Sequence, residues 1–467
     1  MSPRARWWTF GIVCAALFMA MLDNLVVLTA LPAIRAALHA GVGDLEWTVN
    51  AYTLAFAVLM LTGAALGDRF GHKRIFLAGV ALFTLGSGMA AVSDSAPHLL
   101  VARAVQGVGA AFLSPLTLTL LARAFPPEQR AAAIGLWAGI SGLGLAIGPL
   151  VGGAIVNGIA WNAIFWLNVP TGVLVLALGW LRLDESFGRA DRIDLPGLAL
   201  AGGGLFGVTY ALIRGNALGW GSDPIIAGLI GGSLLLAAFL VWERRTARPM
   251  LDLGMFAIRG FSVPNGVGFL MGAGMFGSIF LLTLYVQEIQ HYSPFSAGLR
   301  TMPWTGTIMV VAPLAGLLAA RVGTRLPVIA GMSMQTVSLL WIASLAEPAT
   351  PYLQLLPAFI LGGIGMGLSF APLSTTVMNA VDRSREGQAS GAYNAVRELG
   401  GVFGVAILGA VFQHLATAPT SAAFMDGFRA ALYAGAGVVA LGTVAALLMP
   451  GVRATASPVF ESVPEVA

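Results

Sequence analysis

The chain is poor in cysteine, histidine and charge: it has one cysteine (Cys14) and five histidines, and Asp, Glu, Lys and Arg together make up 10% of its 467 residues. A single cysteine excludes an internal disulfide and any cysteine-based metal cluster. The shortage of charge excludes intrinsic disorder, which needs a charged and weakly apolar chain. Taken with 57% apolar residues and a mean hydropathy of +0.84, it also excludes an ordinary soluble globular protein. No polar stretch is long enough for a soluble domain; the longest, near 243–260 and 451–467, suit an interfacial segment and a cytoplasmic tail. The net charge of +4 is small and the basic residues are scattered over short loops, which points to membrane topology and not to nucleic acid. No zinc-protease, P-loop or Ser-His-Asp pattern is present, so an enzyme is not expected. His39, His98, His291 and His414 fall near span ends without metal spacing, and His72 belongs to a basic loop.

What the chain does have is apolar blocks of about twenty residues between short polar breaks, the length that crosses a roughly 30 Å hydrocarbon core as helix. The expected fold class is an all-α integral membrane protein. The first run carries Asp23 and is too long for a signal peptide, so it is taken as a retained helix. Fourteen spans are expected, near 7–34, 46–66, 75–93, 98–122, 131–155, 163–183, 195–213, 224–242, 261–286, 296–319, 326–345, 352–377, 388–412 and 428–449. With the N-terminus inside, nineteen Lys and Arg residues fall on the inner side and four (Arg35, Arg214, Arg300, Arg429) on the outer side. That asymmetry predicts an even span count with both termini cytoplasmic. Arg103 and Arg397 lie inside spans.

A faint internal repeat divides the chain. ALGDRFGHKR follows span 2 and LLAARVGTR follows span 10; aligned on glycine, Arg69 matches Arg321, Gly71 matches Gly323 and Lys73 matches Arg325. A duplicated bundle leaves such a trace. The expected domains are therefore a six-helix bundle over 1–190, a two-helix linker over 191–245 (spans 7 and 8), a second six-helix bundle over 246–450, and the tail 451–467.

A charge buried in a bilayer costs roughly 2.5–3.5 kcal/mol on insertion scales, so each one needs a reason. Asp23 sits mid-span in MLDNLVVLTALP, where a desolvated carboxyl can exchange a proton or contact substrate; the alternative is a structural Asp paired permanently with a base. Arg103, in LLVARAVQGVGAAF, keeps its charge and must face the bundle interior or snorkel outward, with Asp23 a candidate partner. Arg397 and Glu398 stand in GAYNAVRELGGVFG. Neighbours on a helix point about 100° apart, so one is expected to line a cavity and the other to tie to a neighbouring helix. Arg397 and Asn394 are the cavity candidates. Glu398 is either a second protonatable group or part of a structural pair. In span 5, GISGLGLAIGPLVGGA repeats Gly144, Gly148 and Gly152 every fourth residue, with Gly153 adjoining. That smooth face admits another helix closely, and Pro149 removes a backbone hydrogen bond, as suits a gating helix; ordinary helix packing is the alternative.

These residues resemble a known family. GDRFGHKR resembles the loop 2–3 signature of the major facilitator superfamily, LLVARAVQGVGAA its helix-4 motif and GLAIGPLVGG its helix-5 antiporter motif. LDNLVVLTALP, WNAIFWLNVPTG and the fourteen spans are similar to the fourteen-helix drug:proton antiporters. The resemblance implies a proton-coupled multidrug or small-molecule efflux antiporter working by alternating access. It would sit as a monomer in the inner cell membrane, driven by the proton gradient without a cofactor, and carry lipophilic substrates. It assigns Asp68 and Arg69, with Gly71 and Lys73, to a cytoplasmic latch between the halves, Asp23 and Arg103 to proton coupling, and Gly148-Pro149 to a hinge. Against the family pattern, Ala64 replaces a glycine, His72 an arginine, and Leu25 and Leu28 the usual threonine and asparagine beside Asp23. A proton symporter and a non-transporting membrane sensor are the rival readings.

Overall fold

A computed structural model of the chain describes residues 3–188, 194–247, 249–382, 385–418 and 420–451. Arg189, Arg192, Arg248, Arg383, Arg453 and nearly all of the expected tail therefore lie outside the described residues, as does the expected boundary at 190/191. The first five spans are single helices, α1 (Pro3–Leu38), α2 (Val42–Phe70), α3 (His72–Ala91), α4 (Ala96–Ala124) and α5 (Pro127–Gly158). The sixth breaks at Leu167 into α6 (Ala163–Trp166) and α7 (Asn168–Arg182). A pair follows, α8 (Leu195–Leu218) and α9 (Asp223–Arg245). The remaining six are α10 (Arg259–Leu284), α11 (Pro294–Val322), α12 (Arg325–Leu345), α13 (Tyr352–Asn379), α14 (Glu386–Leu415) and α15 (Ser421–Ala446). Among the described residues thirteen spans are long and apolar enough to cross a membrane, and α5, bent by 40° between Ala133–Gly144 and Ile147–Gly158, makes up to fourteen.

The helices start and stop for local reasons. Asp194, Ser293 and Thr420 cap α8, α11 and α15 by accepting from the backbone N–H three residues on. The repeated loop shows itself as backbone geometry: Gly71 between α2 and α3 and Gly323 between α11 and α12 both hold positive φ, 109° and 86°. A side chain is strained there, so glycine recurs at both copies of the turn.

Small residues set the packing. Gly79 on α3 and Gly109 on α4 each lie where a Cβ would strike the other helix's backbone, and Gly277 and Gly404 do the same for α10 and α14. The α8–α9 hairpin closes through Gly204, Gly207, Gly228 and Gly232 and lies beside α2 and α14. Helices α1–α7 form one set and α10–α15 the other; they meet chiefly where α5 packs on α11 and α2 on α14, with smaller contacts of α1 with α10 and α11.

Candidate functional site

Asp23 and Arg103 come together at the centre of the first helix set. Both are buried, at 3% and 1% exposure, and Arg103 Nη1 donates to Asp23 Oδ2 at 2.5 Å. The guanidinium also donates from Nη1 to Gln106 Oε1 (2.9 Å) and from Nε to the Thr48 carbonyl (3.1 Å). Its plane lies 4.4 Å from the Tyr52 ring centroid, where the ring's negative face favours a cation. The other carboxyl oxygen, Oδ1, accepts from Gln106 Nε2 (3.2 Å) and from Asn168 Nδ2 (2.8 Å). Gln106 Nε2 donates further to Ser87 Oγ (2.7 Å), and Ser87 Oγ to the Phe83 carbonyl (2.9 Å). The break at Leu167 places Asn168 in the first turn of α7, facing Asp23. Five helices, α1, α2, α3, α4 and α7, thus share one network; α4 and α7 touch the carboxylate itself, and every group donating to it is an N–H.

Sequence reasoning singled out Asp23 and Arg103 but missed Gln106, Asn168, Ser87 and Tyr52. A neutral amide in an apolar span carries no charge penalty to flag it. The usable signal was helical spacing: Gln106 follows Arg103 by three residues, so both present to the same face.

Arg397 and Glu398 differ from expectation. Arg397 Nη2 bonds Glu398 Oε1 at 2.7 Å, so the two side chains pair with each other. The long guanidinium stem bends back across the angle that separates adjacent Cβ atoms. Arg397 also covers the Phe370 ring at 4.9 Å. Glu398 is 4% exposed and its Oε2 meets no hydrogen-bond partner among the described residues. Asn394 donates to the Ser390 carbonyl of its own helix (3.0 Å). Tyr52 lies within electrostatic reach of Asp23 and Arg103 and also of Glu398.

The loop after α2 is anchored in its own half. His72, expected in a loop, opens α3 and is fully buried: its Nε2 meets Asp68 Oδ1 (2.8 Å) and its Nδ1 meets Ser186 Oγ (3.0 Å). The Gly188 N–H donates to the Asp68 carbonyl (3.0 Å), and Glu185 accepts from the Lys73 N–H (2.9 Å). Arg69 lies over the neighbouring Phe70 ring. None of these described contacts crosses to the other helix set.

Among the described residues four hydrogen bonds do cross: Thr62 Oγ1 donates to Met250 Sδ (3.6 Å) toward the C-terminal end of α2, and the other three lie at the end remote from Pro3. Arg35 Nη1 meets Glu288 Oε2 (2.6 Å), Gln287 Nε2 donates to the Thr29 carbonyl (2.9 Å), and Gln413 Nε2 donates to Glu46 Oε1 (2.6 Å). Glu46, fully buried on α2 and unnoticed in the sequence because it stood at a span edge, leaves Oε2 without a hydrogen-bond partner among the described residues. At the same end α5 and α11 touch backbone to backbone: a Cβ on Gly153 would strike Pro294 O, and one on Gly298 would strike Pro149 O. Gly148 and Gly152 pack on Leu25 and Val26 of α1, and Gly144 on Phe18 and Met21. Pro149 also lines a cavity between the two helix sets, with Leu25, Leu28, Ile279, Trp304 and Phe359.

A paired acid and base buried in a helix bundle, beside a cavity between two helix sets, suits a membrane transporter. Comparison with known proteins agrees. The Major Facilitator Superfamily model matches residues 13–405, and 267–465 in a second match. The multidrug resistance protein Stp of Mycobacterium tuberculosis is 36% identical over 397 residues, covering 85% of this chain and 74% of that protein. The puromycin resistance protein pur8 of Streptomyces alboniger is 36% identical over 482 residues, covering 98% and 93%. A bacterial homolog of the human lysosomal transporter Spinster, solved inward-facing and unoccupied, has the same fold: TM-score 0.68 at 15% identity, covering 96% of this chain and 98% of that one. The chain belongs to the Major Facilitator Superfamily, as a membrane transporter related to drug-efflux and drug-resistance proteins.

Proposed function

We propose that this protein is a proton-coupled exporter of lipophilic small molecules that works by alternating access. It acts as a monomer in the cell membrane with both termini in the cytoplasm. The observation that carries the reading is the donor set around Asp23. Both carboxyl oxygens are faced by N–H groups, from Arg103, Gln106 and Asn168. A proton added to Asp23 puts a new O–H against donors, so one donor must turn or leave. Arg103 has no acceptor atom to offer; the Asn168 amide can turn its oxygen inward, and it stands at the broken start of α7. Protonation of one acid is thereby tied to the position of helices, which is what coupling requires.

In this reading residues 1–190 and 246–450 rock as two bodies about the central cavity, and 191–245 ride beside α2 and α14. The contacts at Arg35, Thr29 and Glu46 close the outer end in the orientation described. The Asp68, Arg69, Gly71 and Lys73 loop, held in its own half here, would engage the other half when the inner end closes. Gly144, Gly148, Pro149, Gly152 and Gly153 serve the movement of α5. Glu398, whose Oε2 meets no hydrogen-bond partner among the described residues, is a second proton site in this reading, and Arg397 and Asn394 flank it. Inward proton movement supplies roughly 2.3 kcal/mol per 100 mV for each charge.

The test is Asp23→Asn in proteoliposomes. It keeps the size and removes the exchangeable proton, so pH-driven efflux should vanish; Arg103 keeps Gln106, the Thr48 carbonyl and the Tyr52 ring, so the protein should still fold, at reduced stability. Full coupled transport by that variant would overturn the reading.

A further inference from the structure

The cavity between the helix sets holds about 30 Å³ in this orientation, room for roughly one or two waters until the sets part, and among the described residues no charged side chain lines it. Its wall on α1 is Leu25, Leu28 and Thr29. At about 100° per residue these lie roughly 140–240° around the helix from Asp23, on the opposite face. Asp23 faces α4 and α7, with every oxygen engaged; the cavity faces α5, α10, α11 and α13. The helix itself therefore stands between the acid and whatever occupies the cavity. A cation placed there would lose its hydration with no counter-charge to meet it, and an anion likewise.

The polar residues that line this region include one donor without a partner among the described residues. Thr29, Thr283, Thr301 and Thr305 donate their hydroxyl hydrogens to carbonyls of their own helices, Leu25 (3.4 Å), Ile279 (2.9 Å), Ala297 (3.1 Å) and Met302 (3.5 Å), which leaves hydroxyl oxygens as weak acceptors. Trp304 lines the cavity, is 4% exposed, and its indole N–H meets no acceptor among the described residues. A buried donor without a partner is costly, and a bound molecule carrying an oxygen acceptor would satisfy it. Phe359, with its ring centroid 6.2 Å from that of Trp304, extends the aromatic wall.

Building on the export reading, we infer that the transported compound is uncharged when bound, and that the Trp304 N–H, hydrogen-bonded to a carbonyl or ether oxygen of that compound, is the contact that selects it.

The whole chain in lipid nanodiscs, with empty nanodiscs as the blank, tests this by direct binding of three dyes. Nile red is neutral with a ketone oxygen, diphenylhexatriene is neutral without an acceptor, and ethidium is a permanent cation. Nile red should bind and ethidium should bind at least tenfold more weakly. Trp304→Phe keeps the ring and removes the N–H, and should weaken Nile red about tenfold while leaving diphenylhexatriene unchanged. A merely structural role for Trp304 would move both neutral dyes together. Leu28→Asp should reverse the preference toward ethidium. Ethidium binding as tightly as Nile red to the wild type, no binding of Nile red, or Nile red affinity unchanged in Trp304→Phe would each overturn the inference. Dye movement driven by a pH gradient in proteoliposomes tests the export reading separately. Trp304-dependent Nile red binding without pumping would sink that reading and leave the site standing, whereas pumping of ethidium untouched by Trp304→Phe would do the reverse.

Discussion

Gln413 on α14 donates to Glu46 on α2 at 2.6 Å, so the two helix sets share a hydrogen bond to a carboxyl group that has no exposure at all. The nearby cation does not take its place: Arg214 bonds Asp44 at 3.0 Å instead. The geometry around Glu46 is tight, since a Cβ on Gly409 would strike its Oε1. Gln413→Ala leaves both Glu46 oxygens without a partner and should cost about 1–3 kcal/mol. Glu46→Gln keeps the size and removes any need to bury charge, so it should cost less. Thermal unfolding in detergent compares the two, and equal or inverted losses would refute the ranking.

At the Asp23 cluster the prediction is a strong, non-additive response. Arg103→Leu strands a buried carboxyl group and should cost about 3–5 kcal/mol. Adding Asp23→Asn to it should recover part of that loss, because the double variant no longer holds an unpaired charge. Arg103→Lys should not rescue: an ammonium cannot reach Asp23, Gln106 and the Thr48 carbonyl in one plane while lying on Tyr52. Denaturant unfolding of the four variants measures the coupling, and simple additivity would contradict the geometry.

These two clusters mark where the sequence was informative and where it was not: Glu46, at a span edge, drew no notice. Asp23 and Arg103 stood out because a charge in an apolar block has one physical justification, a partner. The Gly71 and Gly323 turns were legible as a repeat because positive φ demands glycine in both copies. Asn168, Gln106 and Trp304 did not stand out. Their importance comes from which helices the fold brings against them, and amides and indoles are cheap enough in membrane helices to pass unnoticed. His72 was hidden by a boundary: the basic loop is one residue long, and the helix that follows buries the ring under residues 184–188. For Arg397 and Glu398 the helix geometry was right for Cβ directions, but the reach of an arginine stem decided the contact.

The Arg35–Glu288 pair holds the remote end with side chains 40% and 22% exposed, so its contribution to global stability should be small, about 0–1 kcal/mol. Its effect on the balance between orientations is more visible, because about 1.4 kcal/mol is tenfold in an equilibrium. Arg35→Glu should speed labelling of a cysteine placed at Ser293 by an impermeant maleimide several-fold. Adding Glu288→Arg should return it toward wild type, and high salt should mimic the single variant in part. No rescue by the double reversal would show that the pair does not hold this end.

The approach of α5 to α11 gives the sharpest contrast. At Gly153 and Gly298 an added methyl would meet carbonyl oxygens of the facing backbone, Pro294 and Pro149, which have no rotamer to retreat into. The helices must then separate, and Pro149, lacking the N–H that would brace α5, marks where the helix yields. At Gly142, earlier on α5, a Cβ meets nothing within 4 Å. Gly153→Ala and Gly298→Ala should therefore lower the melting temperature and suppress efflux. Gly142→Ala should do neither, and better helix propensity should favour it by up to about 1 kcal/mol. Because all three substitutions are the same methyl, a difference between them isolates the contact from any general loss of glycine flexibility. If Gly153→Ala melts and transports like the wild type, close packing of these two helices is not what the glycine series in α5 provides.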